Sequence, residues 1–354
     1  MPKLLAPSEY DAQAVRGYLD SATYGLPPRS VLAALADALA GWQERRDWFS
    51  WEDDAERCRE LFAGLVGASP DDVAITTAVS VSAGLVAASL PAGAGANVVV
   101  HENDFASNLF PWAALAGRGV EVRALPLERL HEGIDEKTAL VAVSSVQSSD
   151  GRVADVERLK GSGARLFVDA THSVGTVPID VEGCDYFACS TYKWIPSPRG
   201  LSFLYVAPNR LDEVEPWLAG WKSRRNWRGS YYGLPPDLSD DARRLDTGLP
   251  WLVAAGTAPA LELIAELGVE RIAEHNLALA RAFAAELGLP EPGAPIVRVA
   301  VDDAAGTVAR LEERGVKASV RANAVRLAFH LYNDDQDVAL ALEALAPAGV
   351  SRAG

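Results

Sequence analysis

Between residues 72 and 190, short, largely apolar runs alternate with helical patterns, and this alternation narrows the folds open to the 354-residue chain more than any other feature. The runs are "DVAITTA" (72–78), "ANVVVH" (96–101), "VEVRALP" (120–126), "TALVAVSSV" (138–146), "RLFVDA" (165–170) and residues 186–189. Helical patterns cover 80–90, 107–119 and 153–163, and two amphipathic ones, 30–49 and 53–67, come before them. A strand that is apolar at every position is buried on both faces. Helices as crossovers supply that cover, so the pattern predicts an α/β fold with a mainly parallel sheet between helices.

The texture changes after residue 245. Two long helical patterns lead to "PIVRVAV", a helix, the strands "VKASVRA" and "AVRLAFHL", and a last helix, "DDQDVALALEALA". This predicts a large domain over 18–245 and a small α+β domain over 246–354, with residues 1–17 packing near the latter. No internal repeat or low-complexity tract interrupts either part, and "GLPEPGAP" reads as a loop.

Composition removes several classes of function. A formal net charge of −15 opposes general binding to a polyanion, and the one basic-aromatic stretch is "WKSRRNWRGSYY" at 221–232. Three cysteines, Cys58, Cys184 and Cys189, form no CxxC pair, which fits a reducing cytoplasm and no metal site. The opening residues carry no apolar core followed by a cleavage site, and no uncharged apolar run approaches the roughly 20 residues of a membrane helix. "GAGA" at 93–96 precedes a strand, so it is no dinucleotide fingerprint, and HExxH, GxSxG and P-loop motifs are absent.

Chemistry concentrates where strands end. In open parallel sheets, ligands gather beyond the carboxyl ends of the strands. Asp169 closes one apolar run, and Ser190-Thr191-Tyr192-Lys193 follows the next. A lysine wedged between Tyr192 and Trp194 is partly desolvated, which lowers its pKa and makes it a competent Schiff-base nucleophile. A lysine to hold an aldehyde and an acid to keep a ring nitrogen protonated are what pyridoxal phosphate requires. An ion pair at ~4 Å in an effective dielectric of about 20 is worth ~4 kcal/mol, or about 3 pKa units. That is enough to fix the charge of the ring nitrogen. From these two residues alone, a turn-capping aspartate and a solvated lysine remain open readings.

Further segments carry a resemblance. "YLDSATYGLPP" (18–28), "VDATHSVG", "STYKWIPSPRG" and "VRLAFHLYNDDQDV" (325–338) occur in that order. Together they resemble the class V aminotransferase family of fold-type I pyridoxal phosphate enzymes, the branch with cysteine desulfurases and isopenicillin N epimerase-like proteins. The resemblance implies that Lys193 is the Schiff-base lysine and Asp169 the partner of the pyridine nitrogen. It gives His172 to the phenolic oxygen, and Ser190 and Tyr192 to the phosphate; Tyr192 stands where some relatives have histidine. Val79 and Ser80 open a helix whose free N–H groups favour an anion, and they complete the phosphate site. Phe105 falls where relatives stack a ring on the cofactor. Ser148 occupies the position of a cofactor-contacting asparagine, with Gln147 beside it. On the strand "AVRLAFHLY", alternation puts Val325, Leu327, Phe329 and Leu331 on one face and Arg326, Ala328, His330 and Tyr332 on the other. Arg326 matches the arginine that grips the substrate α-carboxylate, and His330 shares its face. Asn333 with Gln336 reads as a helix cap. The family further implies a homodimer with active sites near the interface, toward which the 221–232 loop is sent.

The reaction stays open within the family. Transamination, β-elimination from a cysteine-derived conjugate or sulfoxide, and epimerisation all begin with loss of the Cα proton to Lys193. Amino transfer is the leading expectation, and carbon–sulfur β-lysis follows. Persulfide-forming desulfuration is disfavoured, because "GVKASVRANAVR" is short and lacks the acceptor cysteine. A non-catalytic binding protein on the same fold is opposed by the joint presence of Asp169, His172, Lys193 and Arg326. The amino-acid substrate is not legible.

Overall fold

The computed structural model describes residues 1–5, 8–91, 93, 95–229 and 231–346. Strands β1 (Val73–Thr76), β2 (Asn97–His101), β3 (Glu121–Leu125), β4 (Thr138–Ser144), β5 (Arg165–Asp169), β6 (Tyr186–Ser190) and β7 (Ser202–Val206) form one sheet. Their order is β1-β7-β6-β5-β4-β2-β3. Strands β6, β5, β4, β2 and β3 run parallel, β7 is antiparallel to β6, and β1 is antiparallel to β7. Thus β7 alone is reversed. Its connection from β6, residues 191–201, is too short for a helical crossover.

Alternation along the strands divides the core into two layers. Ile75, Val99, Val141, Val143, Val168 and Phe187 point to a layer covered by helices α1 (Arg29–Gln43) and α2 (Phe49–Val66). Val98, Val100, Leu140, Ala142, Phe167 and Ala188 point to the other, covered by α3 (Val79–Ser89) and Trp112. The expected helix 107–119 is broken into short turns, of which α4 (Phe110–Ala113) is one. Pro111 removes a backbone donor there. The expected helix 153–163 shrinks to α5 (Val156–Leu159), with Gly161 and Gly163 at positive φ just beyond it.

Helix α6 (Trp251–Leu267) returns to the large core through Ala254, Ala258 and Leu261. Its far end, at Ile264, packs with Ile272, so α6 runs from the large core into the second unit. Next come α7 (Val269–Glu286), β8 (Ile296–Val299), α8 (Ala304–Glu313), β9 (Ser319–Arg321), β10 (Ala324–Ala328) and α9 (Asp335–Leu345). The three strands form an antiparallel sheet in the order β8-β10-β9. The cap of α9 is Asp334, in a reciprocal box with Asp337, not Asn333. Asn333 instead accepts the His330 N–H at 2.8 Å.

The N-terminal segment joins the two units. Tyr10, Val15 and Tyr18 pack with Ile272, Leu331 and Tyr332. The Leu19 N–H donates to Lys317 O at 2.9 Å, and Leu19 O accepts the Ala328 N–H at 2.8 Å. At Gly25 the backbone passes so close to Lys193 that a Cβ would lie 2.1 Å from the Lys193 carbonyl oxygen. Residues 20–25 are thereby laid beside the end of β6. No single helix among the described residues is long and apolar enough to cross a membrane.

Candidate active site

Because β1, β2, β4, β5 and β6 share one direction, their carboxyl ends open on one side of the sheet. The loops there enclose a cavity of about 270 Å³. Thr77–Ser80 follow β1, Phe105 and Ser107 follow β2, Ser144 and Ser148 come from β4 and its loop, Asp169–His172 from β5, and Ser190–Lys193 from β6. Arg321 and Arg326 of the small sheet and Ala22–Thr23 of the N-terminal segment close it. A larger groove of about 560 Å³ lies between α2, residues 174–180 and the α6–α7 junction, and no lysine or histidine lines it.

Lys193 and His172 meet at the centre. Lys193 Nζ lies 2.8 Å from His172 Nε2, and Trp194 Nε1 lies 3.2 Å from His172 Nδ1. Indole nitrogen only donates, so Nδ1 is the acceptor and a neutral imidazole carries its proton on Nε2. Burial, reinforced by Lys193, Arg326 and Arg321, pushes the His172 pKa well below the ordinary value and keeps the ring neutral. The Nε2 proton then points at the lysine, a contact that suits the lone pair of a free amine and sets N–H against N–H in an ammonium. Burial also draws Lys193 down from 10.5 to about 8, although Asp169 opposes it. The amine is buried, yet its nitrogen lies 5.3 Å from the Phe105 ring centroid and 5.7 Å from that of Tyr192.

Asp169 lies within the cavity wall as the last residue of β5. Burial lifts its carboxyl from 3.8 to about 6, against the lowering effect of its hydrogen bonds from Thr171. The Thr171 N–H donates to Oδ1 at 2.9 Å. An acid so placed is ionised at neutral pH but poorly compensated, which suits a cationic N–H brought by a ligand.

The β1 side of the cavity presents free hydrogen-bond donors. Helix α3 starts after Ala78, which offers no side-chain cap. The N–H groups of Val79 and Ser80 find no acceptor among the described residues. Ser80 is therefore the second residue of the helix rather than its cap, and its exposed hydroxyl stands beside the free N–H groups. Ser190, Tyr192 and Arg199 border the same cavity, with the Arg199 guanidinium 5.2 Å from the Tyr192 ring centroid. An amine, a strand-end acid and an anion nest in one cavity fit pyridoxal phosphate.

Opposite, the β9–β10 hairpin turns through Ala322 and Asn323, both at positive φ. Arg326 is 2% exposed and donates to Ser148 O at 2.7 Å, Thr23 Oγ1 at 2.6 Å and Asp20 Oδ1 at 3.1 Å. Its Nε has no partner among the described residues. Burial and then Arg321 lower its pKa to about 10.

Ten of the residues singled out in the sequence line this cavity: Val79, Ser80, Phe105, Ser148, Asp169, His172, Ser190, Tyr192, Lys193 and Arg326. Two do not. Gln147 is buried, and its amide donates to Ser144 O at 3.0 Å. His330 is fully buried behind the cavity, stacked between Trp194 at 5.2 Å and Tyr332 at 4.8 Å. The strand ends at Ala328, so alternation no longer carries His330 to the face of Arg326. Thr23, Arg199 and Arg321 line the cavity without having been singled out. Arg321 was within reach of the sequence: it lies in "VKASVRA", on a strand expected to accompany Arg326.

The basic loop buries one of its charges and pairs two others at the surface. Lys222 is 2% exposed, lies 2.8 Å from Glu52 and sits 3.8 Å from the Trp227 ring centroid. Arg228 pairs with Asp53 at 3.2 Å, and Arg225 pairs with Asp240. Among the described residues, no cluster of side chains suited to a metal ion occurs.

Comparison with known proteins identifies the family. The family description "Aminotransferase class-V" matches residues 17–308. An uncharacterized aminotransferase of Bacillus subtilis, YcbU, is 33% identical over 85% of this chain and 85% of its own length. Isopenicillin N epimerase of Streptomyces clavuligerus is 29% identical over 60% of this chain and 59% of its own length. Among solved structures, the cystine C–S lyase C-DES, with glycine linked covalently to its PLP cofactor, superposes with a TM-score of 0.88 at 21% identity. That match covers 98% of this chain and 100% of the other. Cysteine desulfurase from Thermococcus onnurineus NA1 superposes with a TM-score of 0.83 at 22% identity, over 96% of each chain. These likenesses fix the fold as that of fold-type I pyridoxal phosphate enzymes. The chain belongs to the class V aminotransferase family, and its cofactor is pyridoxal 5′-phosphate.

Proposed function

We propose that this enzyme acts on the Cα–H of an amino acid and that its reaction is amino transfer. The observation that carries the reading is the Lys193 amine, 2.8 Å from His172 in a cavity that also holds Asp169 and Arg326. When bound, pyridoxal phosphate supplies the electron sink that makes a Cα–H acidic. Asp169, ionised at neutral pH, would hold a proton on the ring nitrogen. The Nε2 proton of His172, which faces Lys193 Nζ in the free protein, would be donated to the phenolic oxygen. The Val79 and Ser80 N–H groups, with the hydroxyls of Ser80, Ser190 and Tyr192, take the phosphate. Phe105 covers the ring face, Ser148 lines the substrate side, and Arg326 takes the α-carboxylate. Lys193 Nζ would be the base that takes the Cα proton and the acid that gives it back.

We further propose that the reaction uses no enzyme-bound persulfide. The β9–β10 turn bears no thiol, and Cys58, Cys184 and Cys189 are all buried. Burial raises the pKa of each, Cys184 to about 12. A homodimer completes the reading, supported by Leu32, Leu39 and Trp42, which stand 51%, 53% and 64% exposed along α1.

Purified protein is expected to absorb near about 420 nm, the usual region for lysine-bound cofactor. An amino-acid screen should convert bound cofactor to its amine form without releasing ammonia. Release of pyruvate and ammonia with no added keto acid would replace amino transfer by β-lysis. No band, even after added pyridoxal phosphate, would remove the catalytic reading altogether.

A further inference from the structure

Two guanidinium groups face one cavity from the β9–β10 hairpin, and the described residues supply an anion for only one. Arg326 pairs across the hairpin with Ser319, and Arg321 lies two residues beyond Ser319. Alternation therefore puts both arginines on the same face, as diagonal neighbours. They converge on one hydroxyl: Thr23 Oγ1 accepts from Arg326 at 2.6 Å and from Arg321 at 3.0 Å, and donates to Asp20 Oδ1 at 2.8 Å. One donor and two acceptors exhaust that hydroxyl. Asp20 lies 3.1 Å from Arg326. Arg321 makes no ion pair among the described residues; besides Thr23, its one partner is the carbonyl of Val320.

The two arginines also differ in depth. Arg326 is almost fully buried, Arg321 only half-buried. Arg321 stands beside the β9–β10 turn, opposite Ala324, whereas Arg326, farther along β10, reaches the Ser148 carbonyl at 2.7 Å. An α-carboxylate must lie beside the carbon that Lys193 deprotonates, so it falls to Arg326 and its unpartnered Nε. Arg321 is left toward the rim with its charge unanswered. Resting on the amino-acid reading above, we propose that the substrate carries a second anionic group, as a dicarboxylic amino acid does, and that Arg321 is its receptor.

The test separates this proposal from the reading beneath it. Holoenzyme is titrated calorimetrically with glutarate and with pentanoate, which need no chemistry to bind. Glutarate is expected to bind at least about tenfold more tightly, the worth of one charge-assisted contact. In R321M the ratio should fall to within about twofold, and R321K should retain part of it. Parallel titration of the visible absorption with L-glutamate and L-glutamine should show the same ratio. Equal affinities for glutarate and pentanoate in the unsubstituted enzyme overturn the proposal. So does an R321M enzyme that weakens both ligands alike, because Arg321 would then hold the α-carboxylate. If glutarate is preferred but no amino acid alters the absorption, the second-anion site stands and the amino-acid reading falls.

Discussion

Trp194 decides which nitrogen of His172 carries a proton, and through that choice it biases Lys193 toward its neutral form. The indole donates to Nδ1 at 3.2 Å, so Nε2–H faces the amine at 2.8 Å. Trp194→Phe keeps an aromatic ring beside His330 and removes the donor, together with part of the buried ring volume. His172 is then free to place its proton on Nδ1 and accept from an ammonium, which favours the charged lysine. One hydrogen bond of about 1.4 kcal/mol is worth about one pKa unit. Modification of Lys193 in apoprotein by an amine-directed reagent, read by mass spectrometry across pH, is expected to show its midpoint near 8. W194F should move that midpoint upward by about one unit. Asp169, Cys189, Arg326 and Arg321 also act on the amine and are unchanged in the variant. An unmoved midpoint would leave Trp194 as packing alone. This device was hidden from the sequence reading, which used Trp194 only to desolvate its neighbour. Asp169, His172 and Lys193 were legible because strand ends and a fixed spacing mark them. A hydrogen bond between side chains on different strand ends has no such mark.

At the scale of the element, the α3 N-terminus is the part whose contribution can be isolated. Ala78 has φ −165° and ψ 156°, the extended conformation required before proline. Val79 is the first helical residue, where proline fits without breaking the helix. Val79→Pro therefore deletes one donor from the anion nest with little change of backbone. A lost contact to a charged ligand costs about 1.5–3 kcal/mol, so binding of pyridoxal phosphate should weaken roughly tenfold or more. Pyridoxal, which has no phosphate, serves as the control. Equal weakening of both would mean that the buried Val79 side chain, not its N–H, is what matters. Elements of this kind were readable where an apolar run or a helical period was unbroken, as in β2, β5 and α3. They were misjudged where a single residue overrides the period. Pro111 splits the helix expected at 107–119, and the glycines at 161 and 163 end α5 early. Strand β7 went unread as an element, and its reversal follows from connection length rather than from composition. His330 shows the same limit, since alternation was extended past the point where β10 ends.

The whole molecule is coupled through the cavity, which draws walls from the large sheet, the small sheet and the N-terminal segment at once. Cofactor loading should accordingly stabilise the chain as a unit, as any ligand of the native state does. The gain should depend on pH through two groups. Asp169 has a folded pKa of about 6 against an ordinary 3.8, so the native state holds its proton more tightly than the unfolded chain. In apoprotein its ionisation is therefore a penalty that is absent at pH values below 3.8, grows through the window up to about 6 and is complete above it. A ring N–H opposite the carboxylate cancels that penalty, so this part of the cofactor's stabilisation is present above about pH 6 and fades below. Lys193 has a folded pKa of about 8 against 10.5. Its ammonium is disfavoured in the fold, and the amine must lose a proton to join the aldehyde. That part of the gain rises with pH up to about 8 and then levels. The difference in Tm between holo- and apoprotein should thus widen from pH 5 to pH 8. The second ionisation of the phosphate, near about pH 6, falls in the same window, so the variant is needed to isolate the carboxylate. Asp169→Asn should stabilise the apoprotein above pH 6, lower the holo–apo difference there and keep the rise toward pH 8. If D169N and the unsubstituted protein give parallel curves, the carboxylate does not meet the ring nitrogen, and the site would have to be rebuilt around another acid.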